Sequence, residues 1–94
     1  MCYTYVLRSD RDKRFYTGAA RDLWAPRMRE HAEGRVRSTA RRRPLTLIYY
    51  EACHDIDGAF RRERFLKTGK GKRFLRNRLA CFLSRSDIEK LERD

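Results

Sequence analysis

The segment CYTYVLRSDRDKRFYT, residues 2–17, contains two short runs of aromatic and β-branched residues. The first run extends from Cys2 to Leu7 and the second from Arg14 to Thr17, with a charged and polar stretch between them. Residues of these types favour strands, and a polar connection between two such runs is typical of a hairpin. The segment therefore predicts two antiparallel strands joined by a loop.

A third strand and a first helix are predicted between residues 23 and 50. Leu45–Tyr50 follows the breaker Pro44 and is apolar enough to predict a central strand of the sheet. Leu23–Glu33 has apolar residues at helical spacing and is followed by Gly34, a residue type that commonly ends helices. We therefore expect one helix between the second and third strands.

Further helices are predicted after the third strand. Residues 55–67 predict a helix that is capped by Asp55 or Asp57, and residues 70–82 predict a second one after a glycine turn. The tetrapeptide 86–89, Ser-Asp-Ile-Glu, matches a capping box and predicts a short last helix.

The order of the predicted elements is β-β-α-β-α-α with a short extra C-terminal helix. This order predicts the fold class α/β (α+β): a single small domain with a three-stranded mixed or antiparallel sheet flanked by helices. We assign residues 1–82 to the main domain and residues 83–94 to a short C-terminal helical extension.

Length and composition exclude several classes of protein. A chain of 94 residues cannot build both a core and a deep enclosed cavity, so any site should be a shallow groove. A hydrophobic content of 40% is too high for a disordered basic tail. No apolar run suits a membrane span, and the N-terminus does not resemble a signal peptide, so we expect a cytoplasmic protein without a membrane partner. Three widely spaced cysteines argue against a disulfide framework and against a zinc ribbon.

The formal net charge of +11 is concentrated in two blocks. Residues 35–43 carry five arginines and no acid, and residues 61–78 carry nine basic residues and the single acid Glu63. Blocks of one sign predict contact with a polyanion, and nucleic acid is favoured over an acidic membrane surface or a purely solubilising role. The residues expected to bind nucleic acid are Arg41, Arg42, Arg43, Lys67, Lys70, Lys72, Arg73 and Arg76.

Glu63 is the first of three polar residues that fall on apolar helix faces. At helical spacing it lies within the stripe formed by Ile56, Ala59 and Leu66. A carboxylate in such a stripe needs a salt bridge, hydrogen bonds or a metal ion to compensate for its burial. The sequence leaves a salt bridge to an arginine and a metal ion as alternatives.

Arg27 and His31 are the other two polar residues that fall on an apolar helix face. They share one face of the first predicted helix with the apolar residues Leu23, Trp24 and Met28, so both should point toward the sheet. Taken singly, an ordinary core-edge histidine and an arginine in an internal salt bridge are the more common explanations.

Several motifs occur together over residues 2–80. The chain has two aromatic triads, Tyr3-Thr4-Tyr5 and Tyr16-Thr17-Gly18, with ten residues between Tyr5 and Tyr16. Four further motifs accompany them: Arg27, His31, the run Arg61-Arg62-Glu63-Arg64-Phe65-Leu66-Lys67, and Asn77. With these motifs together, the chain resembles the GIY-YIG nuclease superfamily, specifically its small stand-alone bacterial members, which are similar to the N-terminal nuclease domain of the incision component of the excinuclease.

The resemblance implies metal-dependent hydrolysis of phosphodiester bonds in DNA, with the two triads on adjacent strands of the sheet and residues 1–82 as the nuclease domain. It implies one divalent cation, Mg²⁺ or Mn²⁺, held by Glu63. The DNA could be branched or single-stranded, RNA is also compatible, and protein partners stay unknown. The catalytic residues implied are Tyr5, Tyr16, Arg27, His31, Glu63 and Asn77.

The resemblance also suggests a role for each catalytic residue. Arg27 would pair with the scissile phosphate. Tyr5, positioned by Tyr16, would accept a proton from the attacking water if the positive surroundings or the metal lower the pKa of its phenol. His31 is the alternative base or a residue that orients Tyr5, and Asn77 would brace the site.

One departure from the family pattern concerns the start of the first helix. The segment Leu23-Trp24-Ala25-Pro26-Arg27 is one residue longer than the usual run from the second triad to the arginine. Pro26 suits the first turn of a helix, so we expect the loop before it to absorb the extra residue.

Two other functions remain compatible with the sequence. One is a non-catalytic basic module that binds nucleic acid and retains the fold. The other is a regulatory or assembly protein in which Glu63 only forms a salt bridge.

Overall fold

The computed structural model describes residues 1–93, with the backbone alone at residues 23 and 24. It confirms the predicted class: a small α+β domain whose three strands form one antiparallel sheet. In chain order the elements are strand β1 (Cys2–Ser9), strand β2 (Phe15–Ala20), a π-helical turn (Leu23–Arg27) that runs directly into helix α1 (Met28–Ala32), a 3₁₀ turn (Ala40–Arg42), strand β3 (Leu45–Cys53), and helices α2 (Ile56–Leu66), α3 (Gly69–Arg78) and α4 (Arg85–Arg93).

The sheet has the strand order β2-β1-β3, so β1 is the central strand. The prediction that Leu45–Tyr50 forms a central strand is therefore wrong: this segment belongs to β3, at an edge. The reason lies in β1, whose Tyr5 and Leu7 are buried on one face of the sheet and whose Val6 is buried on the other. A strand buried on both faces occupies the centre most readily.

Helices cover both faces of the sheet. On one face Tyr5, Leu7 and Ala20 form a cluster with Met28 of α1. On the other face the apolar side chains of α2, α3 and α4 form the larger core around Val6. The Thr4 hydroxyl donates a hydrogen bond of 2.8 Å to the Ala59 carbonyl oxygen, which ties β1 to α2.

Helix α3 begins earlier and ends earlier than predicted. The expected glycine turn is its first turn, because the Thr68 hydroxyl caps the helix and accepts from the Gly71 backbone N–H at 3.1 Å. A Cβ at position 71 would lie 1.9 Å from the Phe65 carbonyl oxygen, so only glycine allows α2 and α3 to meet this closely. The helix ends at Arg78, after which the chain turns and buries Leu83 in the core.

The last helix starts with a different capping box from the one predicted. The Ser84 and Asp87 side chains each accept from the other residue's backbone N–H, both at 3.1 Å, whereas Ser86 and Glu89 were expected to do so. Asp87 is also held by Arg8 of β1 at 3.2 Å, and this tertiary ion pair selects the earlier start. Within residues 1–93, no helix is long and apolar enough to span a membrane.

Candidate active site

The Tyr5 hydroxyl lies at the centre of the candidate site. Its oxygen is 2.8 Å from His31 Nε2, and Arg27 Nε donates to it at 3.3 Å. The Tyr16 ring completes the cluster, with its centroid 5.4 Å from that of His31 and 6.5 Å from that of Tyr5. Four of the six predicted catalytic residues therefore converge, from two adjacent strands and one helix.

Gly18 makes room for the Tyr5 ring. It is the direct cross-strand partner of Tyr5 on β2, and a Cβ at position 18 would lie 2.6 Å from the Tyr5 hydroxyl oxygen. Tyr5 cannot move aside cheaply, because it is fully buried and held by His31 and Arg27. The glycine of the second triad thus sets the position of the phenol in the first.

A π-helical turn brings Arg27 and His31 to Tyr5. The turn spans Leu23–Arg27 and contains Pro26, so the prediction that a loop before Pro26 absorbs the extra residue is wrong. A single π turn accommodates one additional residue within a helix. Arg27, the last residue of the turn, and His31 of α1 keep a common face toward Tyr5.

Thr39 is a site residue that the sequence analysis missed. It is fully buried, and its hydroxyl oxygen lies 2.8 Å from His31 Nδ1. The same hydroxyl donates to the Val36 carbonyl oxygen at 3.4 Å, so we assign the imidazole proton to Nδ1, which donates to Thr39. His31 Nε2 then carries no proton and accepts a hydrogen bond from the Tyr5 hydroxyl. No motif in the sequence marks Thr39, which lies among the arginines of the first basic block.

Burial determines the protonation states of the cluster. It lowers the pKa of His31 to about 4, and the positive charge of Arg27 acts in the same direction, so the imidazole is neutral at pH 7. Burial also raises the pKa of the Tyr5 phenol, even though the hydrogen bond and charge of Arg27 oppose this shift. The positive charge of Arg27 therefore does not meet the condition set for Tyr5 as a base, namely that its surroundings lower the pKa of the phenol.

The neutral state of His31 makes the stability of the domain depend on pH. Between the ordinary pKa of 6.5 and the folded value of about 4, the unfolded chain binds a proton that the folded chain does not bind. The free energy of unfolding should therefore fall as the pH decreases through this range, by about 3 kcal/mol at most from this residue. Urea denaturation between pH 7 and pH 4.5 measures the slope.

His31→Gln should flatten this dependence, because it removes the titrating group. The exposed His54 offers a matched control, since His54→Gln should keep the wild-type slope. Parallel curves for the wild type and His31→Gln would contradict the assignment of a neutral buried imidazole.

Glu63 lies on α2 beside the middle of β2. The helix runs along this edge strand, with Phe60 near Ala20 at one end and Leu66 near Phe15 at the other. Glu63 is near enough to Tyr5 for its charge to raise the pKa of the phenol. The Glu63 side chain is 21% exposed, so it is only partly buried although it falls within the apolar stripe of α2.

The compensation for Glu63 is an ion pair with a lysine. Lys67 Nζ lies 2.8 Å from Glu63 Oε2, one helical turn along α2, whereas an arginine was the expected partner. Among residues 1–93, no three histidine, cysteine or acidic side chains form a group that could hold a metal ion. A cation at Glu63 would therefore have fewer than three such ligands from the described residues.

A protein-family model described as the GIY-YIG catalytic domain matches residues 1–77. The chain belongs to the GIY-YIG family. Proteins of this family are in general endonucleases, so membership supports a nuclease function and a nucleic acid substrate. Comparisons with curated proteins and with solved structures gave no match.

Asn77, like Glu63, is a predicted residue of the GIY-YIG site that lies outside the cluster of Tyr5, Tyr16, Arg27 and His31. It is exposed on α3 and lines a shallow cavity with Phe74 and Arg78. Its neighbour Leu75 is buried in the core, and two residues along a helix lead to nearly the opposite face. The structure gives Asn77 no described contact with Tyr5 or His31.

The first basic block of this GIY-YIG domain is partly internal. Arg42 donates to the Phe15 carbonyl oxygen at 3.2 Å and faces Asp12 at 3.6 Å. Arg43 donates to the Ala40 carbonyl oxygen at 2.9 Å. Of the three arginines predicted to bind nucleic acid here, Arg41 is the exposed residue whose side chain has no described partner.

The second basic block is more exposed. Lys67 is paired with Glu63, and Arg76 lies 2.7 Å from Glu92. The other residues of this block that are predicted to bind nucleic acid are Lys70, Lys72 and Arg73. They have no ion pair within the described part of the chain; Lys70 and Arg73 are exposed and Lys72 is half-buried.

Proposed function

We propose that this domain is a metal-dependent endonuclease that hydrolyses phosphodiester bonds in DNA. The observation that carries the proposal is the convergence of Arg27, His31 and Tyr5 on one hydroxyl group. An arginine held at its Nε by a buried phenol presents the rest of its guanidinium in a fixed orientation. Such an arrangement is suited to an anionic group that offers two neighbouring oxygens to the two remaining nitrogens of the guanidinium, such as a phosphate.

Arg27 supplies the charge that the transition state requires. Its side chain is 36% exposed, and its one described ion pair, with Glu30, is long at 3.7 Å. Negative charge develops on the phosphate oxygens during hydrolysis, and a preorganised cation there lowers the barrier. Arg27 therefore binds the scissile phosphate in this proposal.

The burial of Tyr5 and Tyr16 favours an exchange of their roles: the family resemblance gave Tyr5 the contact with the attacking water and Tyr16 the positioning role. Tyr5 is fully enclosed, so its hydroxyl positions Arg27 and does not contact the attacking water. Tyr16 is half-buried on the edge strand, and its hydroxyl has no hydrogen-bond partner among residues 1–93. We assign the contact with the attacking water to the Tyr16 hydroxyl. Neutral His31 accepts a hydrogen bond from the Tyr5 hydroxyl, and this bond keeps Tyr5 and His31 oriented.

Glu63 is the residue that would hold the divalent cation. A partly exposed carboxylate is a suitable ligand for a hard cation such as Mg²⁺ or Mn²⁺, and water and phosphate oxygens commonly complete the coordination of Mg²⁺ in phosphate-processing sites. When bound, such a cation supplies positive charge at the phosphate and lowers the pKa of a bound water. Lys67 pairs with Glu63, so the carboxylate would have to leave this ion pair to hold a cation.

The exposed basic residues hold the DNA on either side of the site. Arg41 comes from the first block and Lys70 and Arg73 from the second. Contacts of this kind go to phosphates and carry no information about base sequence. The proposal therefore includes affinity without sequence preference, on single-stranded or branched DNA.

Incubation with end-labelled DNA tests the function directly. We expect single-stranded and branched DNA to be cleaved with Mg²⁺ or Mn²⁺, and no cleavage when a chelator replaces the metal. The same substrates in RNA form show whether the 2′-hydroxyl changes the rate. Cleavage that persists in excess chelator would contradict the metal dependence.

Binding without cleavage would favour the alternative of a non-catalytic nucleic-acid-binding module. The specific observation in its favour is the ion pair between Glu63 and Lys67, which leaves the acid already compensated.

A further inference from the structure

A groove lies directly beside Arg27 and takes no part in the chemistry described above. Its volume is about 470 Å³, and it opens between the start of α1 and the start of α2, over the end of β2. Arg27 forms one wall, so the groove continues from the proposed phosphate-binding site. The described residues that line it are Ala19, Ala20, Arg21, Asp22, Pro26, Arg27, Glu30, Ile56 and Phe60.

The charge of the groove differs from that of the rest of the protein. Two arginines and two acids line it, so its formal charge is zero in a chain of net charge +11. The carboxylates of Asp22 and Glu30 disfavour a phosphate there, and the remaining lining residues are all apolar. An uncharged planar group with polar edges fits this combination, because carboxylates accept hydrogen bonds from exocyclic amines of bases.

Phe60 gives the groove an exposed aromatic surface. It is 43% exposed, although it lies on α2 one turn before Glu63 and close to the buried Ala59. The floor beneath it is made by two alanines, Ala19 and Ala20, whose small side chains leave the space open. Exposed aromatic rings beside a phosphate-binding site are the common means of binding unpaired bases by stacking.

We propose that this groove binds one unpaired nucleobase next to the phosphate held by Arg27, with Phe60 as the stacking surface. The inference rests on the proposed function, since it assumes that Arg27 binds the substrate phosphate. A base within a duplex has both faces covered by its neighbours and cannot enter. The groove therefore selects nucleic acid with an unpaired nucleotide at the cleavage site over continuous duplex.

Equilibrium binding in the presence of a chelator tests this without requiring cleavage. The probes are two fluorescein-labelled oligonucleotides of equal length, one of deoxycytidine throughout, whose bases carry an exocyclic amine, and one in which the central nucleotides are abasic. We expect the wild-type chain to bind the base-bearing oligonucleotide about 5- to 100-fold more tightly, the range typical of one stacked base. Equal affinity for the two probes would overturn the proposal.

Phe60→Ala should remove most of that difference, and Phe60→Trp should preserve it. Phe82→Ala is the matched control, because Phe82 is also exposed, at 52%, but stacks on Arg8 outside the groove. If Phe60→Ala weakens binding of both probes equally, the ring does not stack on a base and the proposal is wrong. Thermal denaturation verifies that each variant is folded.

The two proposals can fail separately. A wild-type chain that discriminates between the probes but cleaves no DNA would support the base-binding groove while removing the nuclease function. A chain that cleaves DNA but binds both probes equally would keep the nuclease function and overturn the binding of a base in the groove.

Discussion

Glu63→Gln should reduce metal-dependent cleavage by about three orders of magnitude while DNA binding in chelator stays the same or becomes slightly tighter. The loss follows because the amide removes the negative charge that attracts the cation, whose contribution to the transition state is several kcal/mol. Binding is maintained because the substitution removes a negative charge from the DNA-facing surface and releases Lys67 from its ion pair.

Single-turnover cleavage at saturating enzyme separates these two effects, since the rate then no longer depends on affinity. Glu89→Gln provides the matched control, because Glu89 is an exposed acid on α4 without a described partner. A loss of less than tenfold in Glu63→Gln would mean that the carboxylate is a structural partner of Lys67 and not a metal ligand. A parallel loss of DNA binding would point to misfolding of α2.

Local patterns were sufficient to predict the three strands and helices α1 to α4, although not the π-helical and 3₁₀ turns. The run Cys2–Leu7 predicted β1 to within two residues, and the helical spacing of Leu23–Glu33 placed Arg27 and His31 on one face. Both signals depend on the period of apolar residues, which the backbone geometry of strands and helices dictates. The same periodicity places Glu63, an acid, on the apolar face of α2.

Strand order and hydrogen-bond partners could not be predicted, because they depend on residues far apart in the sequence. The apolar character of Leu45–Tyr50 predicts a central strand, but it does not reveal whether the strand has a neighbouring strand on both sides. In the structure β3 has one neighbour, β1. Thr39 reaches His31 through a loop that has no periodic pattern. The capping box at Ser84 was selected over Ser86 by the ion pair between Arg8 and Asp87, which joins the two ends of the chain.

The basic blocks show a similar limit. Counting charges identified where the arginines are concentrated but not which ones face solvent. Arg42 and Arg43 hydrogen-bond to backbone carbonyl groups and stabilise the fold, so part of the charge assigned to DNA is structural. The π-helical turn is a further case, because apolar spacing carries little information about an i to i+5 hydrogen bond.

Arg27→Lys should lower the cleavage rate by about 100- to 1,000-fold although the charge is unchanged. The lysine side chain has no Nε to donate to the Tyr5 hydroxyl and no planar pair of donors for the phosphate. Removing one preorganised donor from a site of developing charge costs about 3 to 4 kcal/mol. Arg29→Lys, the same change at an exposed position of α1, should alter the rate by less than threefold.

A double-mutant cycle with Tyr5→Phe then tests how Arg27 is held. If Tyr5 acts by anchoring Arg27, its loss should reduce the rate substantially in the wild-type background and only slightly in the Arg27→Lys background, because the anchored group is already gone. Independent, additive losses would instead mean that the Tyr5 hydroxyl takes part in proton transfer in its own right. Since Tyr5 is fully buried beneath Gly18 and Arg27, we expect strong coupling between the two substitutions.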